Sequence, residues 1–347
     1  MIIDFTQNIN PESLSPQTEF EEKVISFLQE WFSDSKTVSV QTSGSTGIPK
    51  VFEIEKKRML NSAKMTCDFL GLKEGDKALL CLPVQYISGK MMLVRAIERK
   101  LKVIISVPSS APEISENVEF CAMTPLQVQN SLDKIHFIKN LIIGGAAVSE
   151  NLKSQLTSSI QHPASNKIYE TYGMSETLSH IALKQISPIQ EEYFTVLNDV
   201  EISVDERNCL KIFAPKLNPE ILQTNDIVEL MHFDSAQCDE KQFKFLGRFD
   251  NVINSGGVKI FAEELENLVK KHIDKDLVFL GKPDETLGEK LVLVVEGEKD
   301  ENLKSEILNL KFENKFHIPK EVLFLEKFPR AENGKVLRKE ILKILAD

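Results

Sequence analysis

Between Ala78 and Tyr169 five short apolar runs, ALLCL, LKVIISV, NVEFCAM, NLIIGG and NKIYE, alternate with segments of helical character. That rhythm limits the fold more than any other feature, because strands separated by helices pack as an α/β unit with a largely parallel sheet. The edge at which the strands of such a sheet end is the edge that takes a ligand.

Elements of other kinds flank this unit. Residues 19–32, EFEEKVISFLQEWF, set Phe20, Val24, Phe27, Leu28 and Trp31 on one face of an amphipathic helix. The strand-like TVSV leads into the polar stretch SGSTG, with VFEI as the return strand, and a helix follows from about Arg58 to Leu70, ended by Gly71. Beyond about residue 190 the alternation in VEISVD, CLKIFAP, DIVELMHF and FKFLGRF is that of β-strands. From Asn251 the pattern is mixed again, with a helix at AEELENLVKKHI, strands at LVFLG and KLVLVVE, and a terminal helix after Lys335. The expected fold is therefore α/β: a large N-terminal domain, residues 1–249, with parallel-rich sheets and a β-rich subdomain, and a small α+β domain, residues 250–347. Neither internal repeats nor a low-complexity linker interrupts it.

A formal net charge of -10 over 347 residues argues against nucleic-acid binding, which needs a basic face to release counterions. Any phosphate ligand must then be held by backbone-lined loops and by individual Lys and Arg side chains. The five cysteines, Cys67, Cys81, Cys121, Cys209 and Cys238, are scattered, show no metal-binding spacing, and read as reduced packing residues. Neither an apolar run long enough to span a bilayer nor the basic and apolar regions of a signal peptide is found, so the expected location is cytoplasmic. The oligomeric state is left open.

The strongest local signal is QTSGSTGIPK, Gln41 to Lys50, where hydroxyl residues and glycines lie between two strand-like segments. Glycines let successive backbone N–H groups turn toward one concavity, and such a nest binds phosphate oxygens. The spacing is not that of a Walker A loop. A plain hairpin turn is the alternative reading of the same composition.

This loop resembles the phosphate-binding signature of the adenylate-forming superfamily of acyl-CoA synthetases, luciferases and peptide-synthetase adenylation domains. YETYGMSET resembles the YGxTE motif of that family, GRFDNVINSGGVKI its GRxDDxIxxGGxKI motif, and PRAENGKVLRKEI its PRxxxGKxxR motif, in the same order along the chain. LIIGGAAVS and TNDIVEL are similar to the segments that seat adenine and grip ribose.

The resemblance implies ATP, Mg2+ and coenzyme A as ligands, and it assigns roles residue by residue. The loop Thr42, Ser43, Gly44, Ser45, Thr46, Gly47 and Lys50 would hold the pyrophosphate portion, and Gly144, Gly145 and Ala146 would seat adenine. Glu170, Thr171, Tyr172 and Gly173 belong to the same nucleotide site, with Ser175 on the α-phosphate and Glu176 as the magnesium ligand. Asp226 would accept from both ribose hydroxyls, as a carboxylate is suited to do, and Arg248 would reach the ribose or phosphates. Lys335 is the implied catalytic residue, an ammonium bridging the substrate carboxylate and the α-phosphate as charge builds up in the transition state. In the family the small domain reorients between half-reactions. Asp250 then occupies the hinge, and Ser255, Gly256, Gly257 and Lys259 face the pantetheine arm.

Within the superfamily, TYGMSETLSHIAL and LPVQYISGKMMLVRAI are most similar to the o-succinylbenzoate–CoA ligases of menaquinone biosynthesis. That small-molecule carboxylic acid carries two carboxylates and a keto group, so a second positive or hydrogen-bonding group must hold the end that does not react. Arg95, within the apolar MMLVRAI, is the candidate, because a buried arginine is costly without an anionic partner. The partner is either the substrate or an internal Asp or Glu. Lys90 is a candidate to share the task, and Tyr86, Ser179 and His180 are further candidates for the pocket wall.

Val51, Asn225 and Asn251 depart from the family pattern, and Tyr86 stands where many relatives carry histidine. Far fewer residues precede the phosphate loop than in typical members. Two other readings share these motifs: an adenylating enzyme for a different acid or for a carrier protein, and a catalytically silent nucleotide-binding module. The presence of Glu176, Asp226, Arg248 and Lys335 speaks against the silent module.

Overall fold

The computed structural model describes residues 1–41, 51–159, 166–231, 241–330 and 336–345. Its helices are α1 (Glu19–Phe32), α2 (Lys56–Leu70), α3 (Ile87–Arg99), α4 (Pro125–Gln129), α5 (Glu150–Ser159), α6 (Ala262–Lys270), α7 (Glu301–Leu308) and α8 (Arg338–Ile344). The first fourteen strands are β1 (Ile2–Asp4), β2 (Thr37–Gln41), β3 (Val51–Glu55), β4 (Lys77–Leu80), β5 (Lys102–Ile105), β6 (Val118–Met123), β7 (Ile138–Ile143), β8 (Lys167–Gly173), β9 (His180–Ser187), β10 (Phe194–Val196), β11 (Glu201–Val204), β12 (Cys209–Ala214), β13 (Asn218–Leu230) and β14 (Gln242–Arg248). The remaining five are β15 (Val252–Ser255), β16 (Val258–Phe261), β17 (Leu277–Asp284), β18 (Gly288–Glu296) and β19 (Glu321–Leu325).

Strands β5, β4, β6, β7 and β8 pair in parallel in that order, as the alternation of apolar runs and helices predicts. Successive side chains point to opposite faces of a strand, so each central strand feeds two cores. Ala78, Leu80, Phe120, Ala122 and Ile142 pack on the side of α1, α2 and α3. Leu79, Cys81, Cys121, Met123 and Leu141 pack on the other side, with Leu152 and Leu156 of α5.

β9 runs antiparallel to β8, and β10, β14, β13, β12 and β11 follow, so the β-rich stretch continues the same twelve-stranded sheet. β2 and β3, on either side of residues 42–50 in the sequence, form a separate antiparallel pair. From Val252 onward a second sheet, β16-β15-β18-β17 with β19 beside β18, closes over a core of its own that includes Phe279 and Leu293.

Local signals hold where they are strongest. α1 is capped by Thr18, whose hydroxyl accepts from the Glu21 N–H at 3.2 Å, and it buries all five residues of the expected face. α2 ends at Gly71, whose φ of +64° is left-handed and costs glycine nothing.

Candidate active site

The C-terminal ends of β6, β7 and β8 open onto a cavity of about 720 Å³, and the other wall comes from β13, β14 and α6. Gly144, Gly145 and Ala146 form the turn that leaves β7 and line the cavity. A Cβ at Gly144 would meet the Thr171 hydroxyl at 2.6 Å, and Gly145 has φ +87°, so this floor is bare backbone for packing and conformational reasons alike.

Thr171, Tyr172 and Gly173, at the end of β8, line the same cavity, as do Asp226 of β13 and Arg248 of β14. Asp226 and Arg248 are directly paired across the two strands, with 3.5 Å between guanidinium and carboxylate. The Tyr172 hydroxyl donates to the other Asp226 oxygen at 2.6 Å, and its ring stands edge-on to Phe243, 5.0 Å between centroids. Burial first, and the Asp226 carboxylate second, push the Tyr172 phenol well above its ordinary pKa, so it stays a donor.

Glu170 also lines the cavity, inside a small buried charge network. It accepts from the Val148 N–H at 3.1 Å and lies 3.0 Å from the Lys184 ammonium and 3.5 Å from that of Lys153. Burial raises its pKa, but the two lysines outweigh burial and hold it below the usual carboxylate value. Lys184 sits 4.3 Å from the centre of the Phe194 ring, and burial lowers its pKa. Neither lysine carries a local motif: Lys153 comes from α5, and Lys184 from β9, where it stands opposite Glu170 across the strand pair.

Arg95 of α3, only 2% exposed, lines the same cavity. Among the described residues, one Nη2 proton goes to the Ser179 hydroxyl at 2.8 Å, Nη1 has only the Met92 sulfur at 4.0 Å, and Nε has no partner. Among the described residues no Asp or Glu pairs with it, which removes the internal-carboxylate alternative there. Burial pulls its pKa down to about 10, still charged at neutral pH.

His180 is buried beside it, with Nε2 3.0 Å from the Thr66 hydroxyl of α2 and Nδ1 3.4 Å from the Ser179 hydroxyl. Burial first, then the nearby Arg95 charge, hold this imidazole well below its ordinary pKa and therefore neutral. Thr66 has no signal in the sequence that marks it.

Other sequence candidates lie elsewhere. Lys90 pairs with Glu30 at 3.9 Å and stands 4.6 Å over the Phe27 ring of α1. Five residues along a helix turn about 140° around the axis, so Lys90 faces away from the side that carries Arg95. Tyr86 is half-buried and bridges Gln41 through its backbone, away from the cavity lining. Ser175 lines the cavity, while Glu176 next to it is exposed, and its backbone carbonyl accepts from Asn218.

Asp250 is exposed, 3.7 Å from Arg248 and bonded to Asn225. Gly256 and Gly257, with φ +59° and +82°, make the turn between β15 and β16. Neither they nor Ser255 and Lys259 line the cavity. Glu263 and Glu266 of α6 do line it, and no motif singles them out. Asn251 donates to Glu263, which explains one departure: an acidic residue there would face another carboxylate. Thr42, Ser43, Gly44, Ser45, Thr46, Gly47, Lys50 and Lys335 lie outside the described residues. No helix among the described residues is long and apolar enough to cross a membrane.

The sequence profile of the AMP-binding enzyme family matches residues 33–208. A 2-succinylbenzoate–CoA ligase of Listeria monocytogenes is 26% identical over 358 aligned positions, spanning 95% of this chain and 74% of the ligase. An acyl-CoA synthetase (AMP-forming)/AMP-acid ligase II-like protein from Dyadobacter fermentans superposes with a TM-score of 0.67 at 30% identity, covering 99% of each chain. The o-succinylbenzoate coenzyme A synthetase MenE of Bacillus subtilis, solved with ATP and magnesium, superposes with a TM-score of 0.67 at 20% identity, over 88% of this chain and 69% of its own.

Proposed function

This chain belongs to the AMP-binding enzyme family, and from that premise we propose that it is an ATP-dependent o-succinylbenzoate–CoA ligase, acting in the cytoplasm where ATP and coenzyme A are at hand. The observation that carries the choice of acid is Arg95: a buried guanidinium, without a carboxylate partner among the described residues, lining the same cavity as the Gly144–Gly145 turn. A cation so placed costs free energy that an anion reaching it offsets, and a diacid supplies one carboxylate to react and one to be held. The likeness to 2-succinylbenzoate–CoA ligase supports the same acid.

In the first half-reaction a carboxylate oxygen attacks the α-phosphorus of ATP and the bond to pyrophosphate breaks. In the second the thiolate sulfur of coenzyme A attacks the acyl carbon and AMP leaves. The Gly144–Ala146 backbone seats adenine, Asp226 holds the ribose hydroxyls with Tyr172 and Arg248 fixing its orientation, and Ser175 meets the α-phosphate. Thr42 to Lys50 hold the departing pyrophosphate, and Lys335 offsets the charge that develops as oxygen meets phosphorus. Glu176, exposed and without an ion pair among the described residues, is the carboxylate that would hold the magnesium ion accompanying ATP, whose charge offsets that of the phosphates. Residues 1–249 and 250–347 act as two domains hinged at Asp250, and the small one turns Ser255, Gly256, Gly257 and Lys259 toward the pantetheine arm in the second step.

ATP–pyrophosphate exchange across a panel of acids tests this reading. Exchange should be strongest with o-succinylbenzoate and weak with monoacids of the same ring. Strong exchange with monoacids alone, or with none of the panel, would refute it.

A further inference from the structure

Four side chains connect α2 to the cavity in a line: Thr66, His180, Ser179 and Arg95. The direction of the hydrogens along it follows from the Thr66 end. Thr66 has one hydroxyl proton, and it is placed on the Ser62 carbonyl at 3.2 Å, so toward His180 the Thr66 oxygen is left as an acceptor. His180 then carries its proton on Nε2, and Nδ1 is a lone pair. At the other end the Ser179 oxygen accepts from the Arg95 guanidinium, and with Nδ1 a lone pair the Ser179 proton is free to donate to it across 3.4 Å. The Arg95 charge favours the same answer, because a lone pair facing a buried cation is stabilised and an N–H facing it is not.

We infer that His180 and Thr66 are positioning residues which, through Ser179, fix the Arg95 guanidinium so that its unpartnered donors face the second anionic group of the substrate. The inference rests on the reading of Arg95 given above. A guanidinium has five donors in a rigid fork, and tying one of them to Ser179 settles the plane in which the others point. Without the tie the side chain turns about its last bonds, and the anion loses its paired contact. His180 contributes a fixed acceptor, not a charge, and Thr66 holds the tautomer that makes it one.

Two measurements on the full chain test it. A 1H–15N spectrum of protein labelled in histidine, with the His180 signal assigned by its loss in His180→Gln, should show a neutral ring protonated on Nε2 at pH 7. A ring protonated on Nδ1, or an imidazolium, overturns the proposal whatever the substrate. In Thr66→Val the ring should switch tautomer, and the KM for o-succinylbenzoate in pyrophosphate exchange should rise about tenfold, the scale of one hydrogen bond to a charged group. The KM for ATP and kcat should stay unchanged, and Thr66→Ser should restore the wild-type values. A switched tautomer with unchanged KM, or an equal rise for ATP, overturns it. Failure of the wild type with every diacid sinks the substrate reading alone, since the spectrum needs no substrate.

Discussion

Tyr172 and Asp226 come from strands that are not neighbours in the sheet, yet the phenol of one donates to the carboxylate of the other at 2.6 Å. Ring contacts with Phe243 at 5.0 Å and Phe194 at 5.8 Å hold the ring in place, so the phenol orients Asp226 before any nucleotide arrives. A hydrogen bond to a charged acceptor contributes about 1.5–3 kcal/mol. Tyr172→Phe should therefore raise the KM for ATP by roughly tenfold or more while leaving the acid's KM alone. Initial rates at varied ATP and varied acid check it, and an effect confined to the acid would separate Asp226 from the ribose.

Arg95 sets function against stability. Its burial at 2% exposure without a counter-ion among the described residues costs free energy that an apolar residue of similar length does not. Arg95→Met should raise the unfolding free energy by about 1–4 kcal/mol, the range seen when buried ions give way to apolar packing. The same change should raise the KM for the diacid by about 30-fold or more, the cost of leaving a bound charge unpaired. Chemical denaturation and pyrophosphate exchange on one preparation test both, and a destabilised variant would mean that Arg95 is a structural residue.

The sequence legibly carried the parts of the fold that depend on local pattern. The α1 face, the β2–β3 hairpin and the Gly71 cap each follow from spacing within a few residues, and each stands as expected. Arg95 was visible because a cation in an apolar helix is a contradiction that only a ligand or an ion pair resolves. Lys90 was misleading for the complementary reason: its partners Glu30 and Phe27 sit on another helix, which no local pattern reveals. Thr66, Lys153, Lys184 and Glu263 were illegible, since each meets the site only through the packing of separate elements and carries an ordinary residue type.

Lys335 follows a glycine in the segment PRAENGK, and its proposed task belongs to the first half-reaction alone. Lys335→Ala should slow adenylation about 100-fold or more, the scale of losing a transition-state donor, while acyl-adenylate supplied ready-made still reacts with coenzyme A. Separate assays of pyrophosphate exchange and of thioester formation from the adenylate check it. Equal losses in both would assign the lysine to binding common to the two steps.

The base of that same segment is tied by an ion pair whose pH dependence can be worked out. Arg330 donates to Glu296 at the end of β18 at 2.6 Å and to Asp276 at 2.6 Å, and the Phe328 N–H donates to Glu296 at 2.7 Å. The Arg330 guanidinium, more than any other group, holds the Glu296 carboxyl down to about 2. A glutamate in the unfolded chain titrates near about 4.3, so the folded state binds this proton less readily than the unfolded one. The stabilisation is fully present above about pH 4.3 and is lost as pH falls through about 2. Denaturant midpoints measured from pH 6 downward should therefore decline across that window, and Glu296→Gln should flatten part of the decline while lowering stability at neutral pH. Because Arg330 also pairs with Val336 in an antiparallel bridge, the variant should slow adenylation more than thioester formation. A pH profile unchanged by the substitution would show that the pair does not anchor the lysine segment.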